Sequence, residues 1–207
     1  MCVLEGRLLD LHEYKVLILV VTAVSALIVA SPALQRLLVY PQTEFFTELW
    51  YLGPGHMAED IPYNISRGES YSLFLGVANH LGRCAYYSVQ VKFRNANQSA
   101  PDSFNRTSSS QPAVYNVYTF VADNGTWELP VTFSFDYAYD SDSLRVDFHS
   151  LVFNGETIDL NGYSTFWNPE RNVFFGNLIF ELWIYDNATG SFRYHERYVD
   201  LKFNMLV

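Results

Sequence analysis

Basic residues are scarce in this chain of 207 residues: 13 Lys and Arg stand against 22 Asp and Glu, for a formal net charge of -9. Nucleic-acid phosphates select basic faces, so a pI near 4.9 disfavours a nucleic-acid partner. Motifs of catalysis are missing as well. There is no G-x-S-x-G elbow and no glycine-rich phosphate loop. His56, His80, His149 and His195 form no H-x-H or H-x-x-x-H pair of the kind that presents two zinc ligands on one face. Cys84 lies four residues after His80, but nearness along the chain is not a nucleophile and its base. The chain therefore reads as a non-enzyme without a cofactor. What it has in quantity is aromatic side chain, 15 Tyr and 16 Phe, and rings of that size bury enough surface to exclude a disordered chain.

Apolar residues are concentrated at one place. Val16 to Gln35 is twenty residues without a charge, and Leu37, Leu38 and Val39 prolong the run past Arg36. A helix of about 20 residues spans about 30 Å of hydrocarbon, so residues 16–39 are expected to form a transmembrane helix embedded in the lipid bilayer. A cleaved signal peptide and a buried helix in a soluble core are the alternatives, but the uncharged run is longer than a signal core and an uncleaved anchor is favoured. Arg7 and Lys15 precede the span and only Arg36 lies close after it, which puts residues 1–15 inside as a short cytoplasmic tail and residues 40–207 outside. Glu5, Asp10 and Glu13 are balanced by Arg7, Lys15 and Arg36, so the whole negative excess belongs to the exterior segment. Cys2 and Cys84 would lie on opposite sides of the membrane, and no intrachain disulfide is expected. Five N-x-S/T sequons, at Asn64, Asn97, Asn105, Asn124 and Asn187, all follow the span and are glycosylation candidates.

Beyond Val39 the pattern changes to period two. Ala85, Tyr87, Val89, Val91 and Phe93 alternate with Ser88, Gln90, Lys92 and Arg94, the signature of a strand with one wet face. Tyr71 to Val77, Leu129 to Phe135 and Leu144 to Phe148 repeat the alternation. Asn154-Gly155 marks a tight hairpin, because both turn positions want positive φ, and Asp186 to Gly190 marks a second one joining Phe174–Tyr185 to Phe192–Phe203. The Ser-rich segment 95–112 reads as a long exposed loop. Eight to ten strands of this kind predict an antiparallel, immunoglobulin-like β-sandwich.

Phe46-Thr47-Glu48 through Leu52-Gly53-Pro54, then Pro62-Tyr63-Asn64 through Gly68-Glu69, then Val77-Ala78-Asn79-His80, resemble in order and spacing a family of archaeal predicted membrane proteins known as a domain of unknown function (DUF1616). Leu178 to Phe203 also looks like that family's ending. The chain departs from the pattern at Leu81, where an acidic residue is usual, and in an insertion-like stretch from Phe135 to Asn172. The resemblance implies an archaeal, membrane-anchored exterior β domain and supplies no reaction. Physically, Gly53-Pro54-Gly55 ends a strand, and the Asn79 side chain is placed to bond the backbone of the turn that follows.

Asp136, Asp140 and Asp142 form the densest acidic group and are weak calcium candidates, without the glycine and terminal glutamate of an EF-hand loop. Trp50, Trp127, Trp167 and Trp183 are read as core before sugar-stacking platforms. The leading expectation is an anchored envelope domain with a structural or protein-interaction role, through a protein partner or self-association. An accessory subunit of an envelope enzyme complex that binds glycan or calcium is the alternative. A pilin-like filament subunit is a third, disfavoured because Glu5-Gly6-Arg7 is not a basic-Gly processing site abutting the helix. Ala23, Ser25, Ala26, Ala30 and Ala33 offer small residues for close approach of a partner helix.

Overall fold

The computed structural model describes residues 14–37 and 45–207, and the chain divides at Glu44/Phe45 into two units. The expected cytoplasmic tail, Cys2, and the end of the expected span at residues 38–39 lie outside the described residues. In the first unit, α1 runs from Lys15 to Leu37, 23 residues. Its apolar side chains are exposed on every side: six consecutive residues from Val16 to Val21 are each at least 49% accessible. The Thr22 hydroxyl donates to the Ile18 carbonyl at 2.5 Å, so this polar group is satisfied within the helix. Among the described residues no helix is long and apolar enough to cross a membrane.

The second unit is all β. Its strands are β1 (Phe46–Leu52), β2 (Asn64–Ile65), β3 (Tyr71–His80), β4 (Ala85–Arg94), β5 (Ala113–Val121), β6 (Gly125–Asp140), β7 (Arg145–Phe153), β8 (Glu156–Asp159), β9 (Ser164–Asn168), β10 (Val173–Asp186) and β11 (Ser191–Met205). One half of a curled sheet is ordered β1-β3-β6-β7, and the other is β5-β4-β10-β11-β2. The short β9 joins them, because it pairs with β7 through Arg145↔Phe166 and with β10 through Val173↔Asn168. All these pairings are antiparallel except β2 on β11.

Alternation explains the core. Leu73, Leu75 and Val77 of β3, Val131, Phe133 and Phe135 of β6, and Tyr87, Val89, Val91 and Phe93 of β4 are buried. The two halves meet through rings: Phe93 lies 4.6 Å from Phe148 and 5.8 Å from Phe135, centroid to centroid. β7 keeps both its ends in this core by a bulge opposite Asp136/Tyr137, so that Val146 and Phe148 point inward before it and Leu151 and Phe153 after it. Both hairpins form as expected, with Asn154 at φ 48 and Gly155 at φ 84.

Three expectations need correction. Leu144 does not join the inward row; it ends the β6–β7 turn at φ 47 and is 48% exposed. The outer face of β4 is not wet throughout, since Ser88 and Lys92 are buried. The reason at Lys92 is the third correction: segment 95–112 is a strap across that end of the face, with Asn97 and Asn105 exposed but Pro101 and Ser109 buried.

Candidate functional site

At the end of the domain where β4 begins and β10 turns into β11, cross-strand register assembles an aromatic platform. Tyr86 stands opposite Phe120, and Tyr185 opposite Phe192. Side chains on one face of paired strands are neighbours, so these four rings and Tyr118 converge. Tyr86 and Phe120 stack at 4.2 Å with 12° between planes, Tyr86 lies 5.2 Å from Phe192 and 6.0 Å from Tyr185, and Tyr118 lies 5.6 Å from Phe192. Phe120 is 70% exposed and Tyr118 55%. These are large apolar surfaces left in water at one spot, a pattern that marks interaction sites.

A groove of about 800 Å³ opens beside the platform, against about 320 Å³ for the one at Asn95–Glu170. Tyr86, Phe120 and Tyr185 supply its apolar wall, and Arg83, Asp186 and Arg193 its polar rim. Cys84 also lines it and is exposed. The arrangement can hold a partner by ring contacts at the centre and hydrogen bonds at the edge.

Below the platform the same sheet face carries a buried ion pair. Lys92 Nζ lies 2.8 Å from Glu181 Oε2, with both side chains almost wholly buried. The Ser109 N–H donates to Glu181 Oε1 at 2.7 Å, Lys92 donates to the Ser109 carbonyl at 3.0 Å, and Trp183 Nε1 donates to Glu181 Oε2 at 3.2 Å. The pair thus fastens the strap to β4 and β10. Alternation in the sequence puts Lys92 on the wet face of its strand and draws no attention to Glu181.

A smaller groove, about 190 Å³, lies between β1 and β11. β11 bulges there by two residues, His195 and Glu196, with Glu196 at φ 57. Burial, helped by the Arg193 and Arg197 charges, lowers the His195 pKa from 6.5 to about 4, leaving it neutral near pH 7.

The signature pair Asn79-His80 has a structural explanation. Asn79 is fully buried, and its amide donates to the carbonyls of Arg83, Val121 and Ala122 while its oxygen accepts from the Tyr87 hydroxyl and the Leu81 N–H. One side chain ties two turns to the core, as the expected turn bond required and beyond it. His80 stacks on Phe46 at 4.6 Å and meets Asn124 Oδ1 at 3.1 Å. His56 stacks on Phe74, and His149 is exposed.

The calcium candidates are not gathered. Asp136 is paired with Arg67 at 2.7 Å. Asp140 accepts from the Ser143 hydroxyl at 2.6 Å and the Asp142 N–H at 3.0 Å, and those bonds lower its pKa. Asp142 is exposed. Among the described residues no group of three or more His, Cys, Asp or Glu is placed to hold a metal ion. All five sequon asparagines, Asn64, Asn97, Asn105, Asn124 and Asn187, are exposed, whereas the buried Asn79 and Asn177 lie outside sequons. Trp127 and Trp167 pack on the core, Trp50 lies over Gly76 of β3, and Trp183 sits under Lys92.

With an all-β domain of this register and a buried Asn79 in view, the profile of a family described as a domain of unknown function, DUF1616, matches residues 41–175. The chain belongs to that family. The match stops in β10, before the Leu178–Phe203 hairpin that the sequence also likened to it. No curated protein matches the sequence. Among solved structures, a beta-glucosidase from Listeria innocua superposes in complex with glucose at a TM-score of 0.38 and 10% identity, and in complex with isofagomine at 0.37 and 11%. The likeness covers 80% of this chain and 17% of the glucosidase, and at that score it carries no inference.

Proposed function

We propose that the chain is a membrane-anchored envelope protein whose exterior β domain, an immunoglobulin-like sandwich, serves protein interaction rather than catalysis. The observation that carries the reading is the platform of Tyr86, Tyr118, Phe120, Tyr185 and Phe192 beside its groove, with Tyr118, Phe120 and Tyr185 exposed and Tyr86 and Phe192 half-buried. Aromatic clusters of this kind anchor partners, because rigid rings bury much area for little lost side-chain entropy. The anchor rests on the uncharged sequence from Val16 to Gln35, whose side chains from Val16 to Val29 lie exposed; apolar side chains of that sort are covered by lipid or by a protein core. Five exposed sequons support an exterior setting. A glycan ligand in the same groove is the second reading, favoured by stacked ring faces flanked by Arg83 and Asp186.

The test is purification of the full chain from native membranes in mild detergent, wild type beside Phe120→Ala/Tyr185→Ala, with intact-mass analysis. A stoichiometric protein partner, or a second copy of the chain, that is lost with the variant supports the interaction role. Retention of a bound oligosaccharide instead moves the assignment to the glycan reading. Extraction of the wild type by alkaline carbonate without detergent overturns the anchor.

A further inference from the structure

We infer that β5 is a self-pairing edge, at which a second copy of this chain adds its own β5 in antiparallel fashion to continue the sheet. β5 pairs only with β4 among the described residues, so one long side of the strand is left without a strand partner. Its nine residues, AVYNVYTFV, include no charge, proline or glycine. Native edges are normally blunted by such residues, by shortness or by cover, because an unprotected edge is a template for another strand.

The other edges of this domain are blunted. β1 is closed off by β11, whose Arg197 donates to the Thr47 carbonyl at 3.4 Å and whose Asp200 carbonyl accepts from the Tyr51 hydroxyl at 3.2 Å. β2 is two residues long, and β8 is four residues long and carries Glu156 and Asp159. β5 is the long undefended edge, in a protein whose net charge of -9 otherwise keeps copies apart. That is why the occupant is a second copy: two acidic chains approach most easily where both are uncharged, and the strand is self-complementary. Pairing about its centre sets Val117 against Val117 of the partner copy, Asn116 against Tyr118 and Tyr115 against Thr119. Tyr118 and Phe120 of both copies then share one face, and the two platforms become continuous.

Nine residues at about 3.4 Å each make a contact about 30 Å long, narrow beside the roughly 800 Å² per partner of a standard interface. The dimer is accordingly weak in dilute solution and gains from confinement of both copies to one membrane. The inference rests on the interaction reading above, and the two fail separately.

The test uses the full chain in detergent or lipid discs with Cys2→Ser and Cys84→Ser. Val117→Cys is expected to give a disulfide-linked dimer on mild oxidation, since opposed residues of an antiparallel pair lie within disulfide range. A Ser143→Cys control, at the exposed far turn, is not. Adding Asn116→Lys/Tyr118→Lys opposes like charges twice and should cut the dimer at least tenfold, and Asn116→Lys/Tyr118→Glu should restore it. These positions are exposed, and unchanged urea unfolding verifies that the variants fold. Equal cross-linking at Val117 and Ser143, or no response to the charge pattern, overturns the pairing. If a distinct partner is still captured through the platform, only the β5 inference falls.

Discussion

At the scale of single residues, burial decides which charges matter. Arg67–Asp136 is a good ion pair by distance, but both side chains are about half exposed, and such pairs contribute roughly 0–1 kcal/mol. Lys92–Glu181 is different, because neither group reaches water. Glu181→Gln should cost about 3–5 kcal/mol in urea unfolding, since it strands the Lys92 charge. Replacing both residues by Met and Leu should recover part of that loss; the rest persists because the Ser109 N–H then lacks its acceptor, at about 1–3 kcal/mol. His195 gives a pH signature with a definite sign. Its folded pKa, about 4, lies below the unfolded 6.5, so the unfolded chain binds the proton more readily. The contribution of the neutral imidazole to stability is complete above pH 6.5 and is lost as pH falls towards 4. A His195→Gln variant should show a flatter fall in melting temperature across that window than the wild type, measured side by side.

At the scale of elements, the hairpins were legible because their signals are local. Asn154 and Gly155 both adopt the positive φ that Asn-Gly advertises. Gly155→Ala should destabilise the domain by about 1–2 kcal/mol, the usual cost of a left-handed non-glycine residue, and urea unfolding would register it. The alternating strands were legible for the same reason. The strap was not. Its Ser-rich composition is that of an exposed loop, and what holds it down is a glutamate 72 residues from Ser109. Alternation places Lys92 and Glu181 on the outer face but is silent on what covers that face. The platform escaped likewise: its rings sit in four strands, and only register brings them together. Limited proteolysis should report the strap's fastening. Cleavage within residues 95–112 is expected to be slow in the wild type and at least several-fold faster in Glu181→Gln, while the β10–β11 turn is cut at an unchanged rate.

For the molecule as a whole, the exterior setting proposed above is open to test at the sequons. The five sequon asparagines all face solvent, so each is sterically free to carry a glycan. Single Asn→Gln changes at Asn64, Asn97, Asn105, Asn124 and Asn187 should each lower the intact mass by one glycan in the native host and leave stability within about 0.5 kcal/mol, as surface substitutions do. Loss of mass at none of them would remove that support for the exterior setting. α1 is tested separately, by whether a carbonate wash releases the chain.

The meeting of β1 with β11 bears on how the domain is made. Thr47 and Tyr51 find their partners Arg197 and Asp200 about 150 residues further along the chain. A ribosome delivers β1 first and β11 last of the described strands, so the curl cannot close until the final hairpin has emerged. Contacts of such long sequence separation fold slowly, and partly made β-structure exposes edges while it waits. The early, uncharged β5 is available throughout that interval. The same strand that suits this protein for pairing once folded thus makes its synthesis the moment of greatest exposure to misassembly, and its output should depend on how quickly the last strands follow.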